Sequence, residues 1–233
     1  MDRNSVQKLI QVPAINKEVV LYQYGKSEKK ILLVHGWSGR GTQLFKIADE
    51  LLKAGYSTIS FDAPAHGKSP GKTTIMVDFI ATTLEIDKQY GPFEAAIGHS
   101  LGGMSVLNAI KKGLKVNHAV VIGSGDIVED IMDDFVAKLE LKPEVSYLLR
   151  LHFEKKYGEK MNSFSAFLAA KETDIPVLVI HDNNDPEVPV KAGIHIHKYL
   201  KNGELLLTDG LGHRKILGNT KVIERSIQFI QNK

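Results

Sequence analysis

Short apolar, β-branched segments alternate with longer segments of helical periodicity from about residue 30 through residue 231. The apolar segments are almost continuously hydrophobic, which is typical of strands covered on both faces in a parallel sheet. The segments between them have the length and pattern of helices that cross over such a sheet. This pattern predicts an α/β fold with a doubly wound, mostly parallel sheet. The predicted strands are 31–34, 57–61, 95–97, 119–122, 177–180 and 205–207, and the predicted helices are 42–54, 74–90, 104–112, 191–200 and 221–231.

Two further apolar segments precede this alternation. Residues 6–12 and 18–24 are joined by a short connection that contains Pro13, and we predict that they form an antiparallel hairpin at one edge of the sheet.

One long insertion interrupts the alternation between the strands at 119–122 and 177–180. Apolar residues from Ile127 to Leu139 fall on one helical face, Pro143 is expected to stop that helix, and two further helices are expected before residue 172. Such a stripe usually packs against a core. It is also consistent with a helical cap whose apolar face lines a substrate pocket. We therefore divide the chain into a core, residues 1–125 and 173–233, and a small helical cap, residues 126–172.

The composition excludes several classes of function. The chain has 233 residues with 30 basic and 27 acidic side chains and a net charge of +3, and no block of like charges indicates nucleic-acid binding. The absence of cysteine excludes disulfides, thiolate catalysis and zinc–cysteine sites. The first twelve residues lack the apolar segment of a signal peptide, and no apolar run is long enough to span a membrane. These features predict a cytoplasmic protein without a membrane span, and they imply no oligomeric state.

The sequence Gly98-His99-Ser100-Leu101-Gly102 lies between a predicted strand and a predicted helix. A serine at this corner occupies a tight, strained turn that exposes its hydroxyl, so Ser100 is the candidate nucleophile. Gly98 and Gly102 fit this turn because a Cβ at either position would crowd the crossing of strand and helix. The Leu101 N–H lies at the start of the helix, where it can stabilise developing negative charge.

A serine hydroxyl needs a base within hydrogen-bond reach and a third group that orients the base. Among nine histidines, His213 lies in a glycine-flanked loop after the last predicted strand, at the sheet edge where open α/β folds build their sites. Asp185 lies in the loop after the strand at 177–180 and is the candidate acid. An Asp-Pro turn without catalytic function also accounts for Asp185.

The chain order Ser100, Asp185, His213 resembles that of the α/β-hydrolase superfamily. His35-Gly36-Trp37-Ser38-Gly39 is similar to the oxyanion turn of that family, which implies the Trp37 N–H as a second donor beside that of Leu101. The segment from Phe61 to Ser69 resembles the loop after the fourth strand, although Ala65 stands where the family usually has glycine.

The same resemblance leaves two other acids open. Asp182 stands where the family often has glycine and therefore competes with Asp185 for the acid role. Asp126 follows the strand at 119–122, a position from which some members of the family draw the acid. We favour Asp185 because it has three more residues with which to curl over the sheet edge, and because Pro186 restricts its backbone.

The resemblance implies a capped serine hydrolase that cleaves a small carboxylic ester by acyl transfer and needs no metal or organic cofactor. A serine rather than an aspartate nucleophile argues against dehalogenases and epoxide hydrolases. A thioesterase, a lactonase or a carbon–carbon bond hydrolase would use the same residues. A receptor that only binds a small ligand is the alternative outside enzymes.

Overall fold

The computed structural model describes residues 4–232, and its strands form one eight-stranded sheet. The strand order across the sheet is β1-β2-β4-β3-β5-β6-β7-β8. The strands are β1 Val6–Val12, β2 Lys17–Tyr24, β3 Lys30–Val34, β4 Ser57–Asp62, β5 Ala95–His99, β6 His118–Ile122, β7 Val177–Asp182 and β8 Gly203–Thr208.

The pairing confirms both parts of the predicted sheet. β1 and β2 form the antiparallel edge hairpin, with Val6 opposite Gln23, and β2 continues antiparallel onto β4. From β4 to β8 all neighbours are parallel. The carboxyl ends of β3, β5, β6, β7 and β8 therefore lie at one edge of the sheet, and the loops that follow them meet there.

Helices cover both faces of the sheet. They are α1 Phe45–Lys53, α2 Met76–Tyr90, α3 Leu101–Lys111, α4 Val128–Lys138, α5 Glu144–Tyr157, α6 Ala166–Lys171, α7 Lys191–Tyr199, α8 Gly212–Lys215 and α9 Thr220–Gln231. Side chains alternate along each central strand between two apolar clusters. On β3, Leu32 and Val34 pack with α2 and α3, whereas Ile31 and Leu33 pack with α1 and α9. No helix among residues 4–232 is long and apolar enough to cross a membrane.

The insertion contains the three expected helices, α4, α5 and α6, but its apolar stripe is mostly unburied. Ile131, Phe135 and Leu139 share one face of α4 and are exposed, while Val136 is buried. α4 ends at Lys138, before Pro143, because the chain reverses at Glu140 in the left-handed region (φ 56°). The stripe on α4 therefore does not serve mainly as a packing surface.

Asp126 joins both ends of the insertion to the core. Its carbonyl accepts from the Ala166 N–H (2.9 Å), and its Oδ1 accepts from the Phe167 N–H (2.9 Å). Its Oδ2 accepts from His195 Nδ1 on α7 at 2.5 Å. Burial raises the pKa of the Asp126 carboxyl, and the hydrogen bonds from His195 and Phe167 offset this only in part. α6 is thereby fixed to the loop after β6 and, through His195, to α7, while α4 and α5 make none of these hydrogen bonds.

Candidate active site

Ser100 occupies a strained turn between β5 and α3. Its backbone angles are φ 55° and ψ −122°, a conformation that L residues rarely adopt, and its N–H donates to the Ile122 carbonyl at 2.9 Å. A Cβ on Gly98 would lie 2.4 Å from the Gly102 carbonyl oxygen, and one on Gly102 would lie 2.3 Å from that of Val34. The turn therefore requires both glycines. α3 begins at Leu101, three residues before the predicted start, because the helix follows directly on this corner.

His213 and Asp185 form a buried hydrogen-bonded pair at the same edge of the sheet. His213 Nδ1–H donates to Asp185 Oδ2 at 2.7 Å, and the two side chains are 5% and 1% exposed. The other carboxylate oxygen of Asp185 accepts from the N–H groups of Glu187 and Val188, each at 2.9 Å. Burial raises the pKa of the Asp185 carboxyl, but these hydrogen bonds more than offset it and hold the pKa below its ordinary value. Asp185 therefore stays ionised and can orient the imidazole.

Gly123, at the end of β6, lies between the serine and this pair. It directly follows Ile122, whose carbonyl accepts from the Ser100 N–H, and its backbone is in the left-handed region (φ 56°). A Cβ at Gly123 would lie 3.2 Å from His213 Nδ1 and 3.4 Å from Asp185 Oδ2. The absence of a side chain lets His213 and Asp185 pack directly onto the residue that follows Ile122, the acceptor of the Ser100 N–H. The sequence analysis missed Gly123, although its place directly after a predicted strand was a usable signal.

The two competing acids are engaged elsewhere. Asp182 Oδ2 accepts from Thr208 Oγ1 (2.7 Å) and from the Leu211 N–H (3.0 Å), so it ties the loop after β7 to the loop after β8. Burial raises the pKa of the Asp182 carboxyl, but these bonds hold it below the ordinary value. Asp126 is bound by His195, as described above. Of the three carboxylates, Asp185 is the one hydrogen-bonded to His213.

The turn after β3 packs directly on Ser100. A Cβ at Gly36 would lie 2.9 Å from Ser100 Cβ, and the Gly36 N–H is held by Gln43 Oε1 at 2.9 Å. The next residue, Trp37, has an exposed side chain. Within residues 4–232, neither the Trp37 N–H nor the Leu101 N–H has a hydrogen-bond acceptor. Both N–H groups are therefore free to donate, and their role as oxyanion donors stays a prediction.

The loop after β4 supports this turn. His66 Nε2 accepts from the Ser38 N–H at 3.1 Å, and the His66 ring lies edge-on to Trp37, with ring centroids 5.4 Å apart. Ala65 adopts φ 60°, a left-handed conformation that glycine adopts with less strain than alanine. Asp62, fully buried, accepts from the N–H groups of Gly41 (2.6 Å) and Lys68 (2.7 Å). The loop after β4 thus fixes the orientation of the turn after β3.

Two buried histidines hold the loops that carry His213 and Asp185. His99 Nε2–H donates to the His213 carbonyl at 2.9 Å, and His181 Nε2–H donates to the Val188 carbonyl at 3.0 Å. Among the described residues, no partner lies within hydrogen-bond reach of either Nδ1 atom. Burial lowers the pKa of both rings, that of His99 to about 4. Both rings are therefore neutral at physiological pH and act as fixed donors.

An open cleft of about 670 Å³ adjoins the oxyanion turn. Its lining is mainly polar and consists of Ser38, Gly39, Arg40, Thr42, Gln43, Phe45 and Gly67. Within residues 4–232, no cluster of three or more His, Asp or Glu side chains could hold a metal ion.

Comparisons with solved structures identify the same fold in several bacterial proteins. A bromoperoxidase from Bacillus anthracis has a TM-score of 0.75 at 18% identity, over 97% of this chain and 100% of its own. An esterase from Exiguobacterium antarcticum has a TM-score of 0.76 at 16% identity, also over 97% and 100%. A lipase-esterase related protein from Clostridium acetobutylicum has a TM-score of 0.69 at 23% identity, over 91% and 99%.

Sequence comparison supplies the family. No protein of curated function matches the chain significantly. A profile described as TAP-like protein matches residues 161–232. A second profile, described as the alpha/beta hydrolase family, matches residues 31–195, which include the oxyanion turn, the Ser100 turn and the Asp185 loop. This match covers more than half of the chain and includes the strained serine at the carboxyl edge of the parallel sheet. The chain therefore belongs to the alpha/beta hydrolase family.

Proposed function

We propose that this protein is a serine hydrolase that cleaves small carboxylic esters by acyl transfer. The observation that carries the proposal is the buried hydrogen bond between His213 Nδ1 and Asp185 Oδ2, packed onto Gly123 beside the strained Ser100. This bond leaves Nε2 as the ring nitrogen available to accept a proton. The names of the esterases and lipase-esterase related proteins that share the fold agree with this class of reaction.

In the proposed reaction each of these residues has a distinct role. His213 Nε2 takes the proton of the Ser100 hydroxyl as the serine oxygen attacks the ester carbonyl, and Asp185 stabilises the imidazolium that forms. The N–H groups of Trp37 and Leu101 stabilise the negatively charged oxygen of the tetrahedral intermediate. His213 then protonates the leaving alcohol. Water attacks the acyl-enzyme by the reverse sequence of proton transfers and releases the acid.

The exposed stripe on α4 supports a role of residues 126–172 as a cap that binds the acyl group. A Cβ on Gly125 would lie 2.9 Å from both Ile131 Cδ1 and Met104 Sδ, which brings α4 next to the helix that starts at the nucleophile. Phe135 lies one helical turn further along the same face. An acyl chain that covered this stripe would bury apolar surface that is otherwise in water.

The proposal is tested with a fluorophosphonate probe and a p-nitrophenyl ester. The probe is expected to label Ser100, and Ser100→Ala is expected to lower turnover by about four orders of magnitude while the fold is kept. Ser163→Ala serves as the matched control, because its hydroxyl only caps a local turn through the Lys160 carbonyl. Labelling that persists in Ser100→Ala contradicts the assignment. A folded protein that is neither labelled nor active indicates a ligand-binding protein instead.

A further inference from the structure

Helix α5 packs on the rest of the protein through a mainly polar face. Ser146 Oγ donates to the Asp133 carboxylate on α4. Arg150 Nη1 donates to Glu129 Oε1 at 2.7 Å, and Phe153 packs against the apolar core. Positions 146, 150 and 153 are four and three residues apart, so these side chains share one side of the helix. The side of α5 that contacts the protein is therefore only partly apolar.

The opposite face of α5 is apolar and exposed. Tyr147, Leu148 and Leu151 share this face, and they are 53%, 61% and 43% exposed. A surface helix normally turns its apolar stripe toward the core and its polar side chains toward water. α5 does the reverse, which is typical of a surface that binds a further partner.

Charged side chains of opposite sign lie at the two ends of this apolar face. Glu144 lies one helical turn before Leu148, and Lys155 lies one turn after Leu151. Both charged side chains are exposed, and within residues 4–232 neither forms an ion pair. The face therefore has an acidic end, an apolar middle and a basic end, and its centre lies between positions 149 and 150.

Such a face is complementary to a second copy of itself in antiparallel orientation. Glu144 and Lys155 lie at equal distances from the centre of the face, and so do Leu148 and Leu151. A two-fold axis through that centre therefore brings Glu144 against Lys155 of the second copy. The same axis brings Leu148 against Leu151 of the second copy.

We propose that two copies of this chain associate through antiparallel pairing of their α5 helices. One helix pair buries less than about 1,200 Å² in total, so the dimer is expected to be weak, with a Kd of about 10–100 μM. Residues 126–172 contain ten acidic and seven basic side chains, although the whole chain has a net charge of +3. An anionic membrane would repel this negatively charged segment, which favours a second copy as the partner. The inference rests on α5 alone and does not depend on the proposed function.

Sedimentation equilibrium of the wild-type protein from about 5 μM to about 500 μM tests the proposal, and dimers are expected within this range. Leu148→Asp places an unpaired charge in the apolar centre of the interface and is expected to raise the Kd at least about tenfold. Leu9→Asp is the matched control, because Leu9 is similarly exposed (57%) but lies on β1. This control is expected to dimerise like the wild type.

Charge reversal tests the orientation of the two helices. Glu144→Lys and Lys155→Glu each place like charges at both ends of the interface, and each is expected to raise the Kd about three- to tenfold. The double variant Glu144→Lys/Lys155→Glu has opposite charges again and is expected to return close to the wild-type Kd. A mixture of the two single variants is expected to form a mixed dimer in preference to either homodimer, because only the mixed dimer has opposite charges at both ends. A double variant that dimerises as weakly as the single ones contradicts the antiparallel pairing.

Three further results overturn the inference. The first is a wild-type protein that stays monomeric over the whole concentration range. The second is a dimer that Leu148→Asp leaves unchanged, which places the interface elsewhere. The third is a monomer that floats with vesicles of phosphatidylcholine and phosphatidylglycerol unless it carries Leu148→Asp, which assigns the face to lipid. All substituted side chains are exposed, so the variants are expected to fold, and melting curves by circular dichroism check this.

Discussion

Acid is expected to weaken this fold through buried histidines that the native state keeps neutral, of which His35 and His99 have the most clearly lowered pKa values. Burial lowers the pKa of His35 and of His99 from 6.5 to about 4, and each of the two residues is only 1% exposed. The hydrogen bonds of His35 give the structural reason. Its Nδ1–H donates to the Gly36 carbonyl (2.7 Å) while its Nε2 accepts from the Ala63 N–H (3.0 Å). A protonated ring could not accept, so one buried bond would be lost.

The sign and size of the effect follow from linkage. Below about pH 6.5 the unfolded chain binds a proton at each of these histidines, while the native state binds none until about pH 4. As the pH is lowered, the free energy of unfolding therefore decreases by up to about 1.4 kcal/mol per pH unit for each histidine. Between neutral pH and about pH 5 each histidine lowers it by about 2 kcal/mol. Asp182 and Asp185 have pKa values below 3.8, so their contributions remain in this range and are lost only at lower pH.

Urea unfolding of the wild-type protein and of His99→Gln at about pH 7.5 and pH 5 measures this effect. Glutamine keeps a donor for the His213 carbonyl but cannot titrate. The loss of stability between the two pH values is expected to be about 2 kcal/mol smaller in the variant. His152→Gln is the matched control, because His152 is exposed on α5, and it is expected to behave like the wild type. A variant His99→Gln with the full acid sensitivity of the wild type would refute the reasoning.

Two further predictions concern the acid and the cap. Asp185→Asn is expected to lower turnover by about four orders of magnitude, because it favours the wrong tautomer of His213. Asp182→Asn is expected to lower stability more than turnover, and the reverse ranking in steady-state kinetics and urea unfolding would transfer the acid role to Asp182. Phe135→Ala is expected to reduce the preference for longer acyl chains in a panel of p-nitrophenyl esters. Phe164 is buried, so Phe164→Ala is expected to lower the free energy of unfolding by about 3–5 kcal/mol. It is not expected to change the preference for acyl-chain length. Equal loss of activity on all chain lengths in Phe135→Ala would contradict a role in selectivity.

Local pattern and chain order predicted much of this structure. Continuous apolar segments such as 177–180 predict a sheet covered on both faces, and the fold confirms it, with 177–180 inside the fully buried β7. Parallel strands bring their carboxyl ends together, so the loops that carry Ser100, Asp185 and His213 were expected at one edge, where the structure places them. Their catalytic roles stay predictions.

Other features depend on contacts that no local pattern encodes. The donation of His99 to the His213 carbonyl joins residues 114 positions apart, and the Asp126–His195 bond joins residues 69 positions apart. The exposure of the stripe on α4 could not be predicted either, because amphipathic spacing indicates which side chains share a face but not what that face contacts.

The order of the strands has a consequence for synthesis of the chain. A nascent chain that has emerged as far as Leu200 already contains Trp37, Ser100 and Asp185, but it lacks β8 and His213. β7, which is fully buried in the finished protein, would at that stage expose an unpaired apolar edge, a risk for misassociation. Pairing of β8 closes that edge and delivers His213 in the same step. Ser100 is thus synthesised long before His213, and the proposed ester cleavage would have to wait for the last strand.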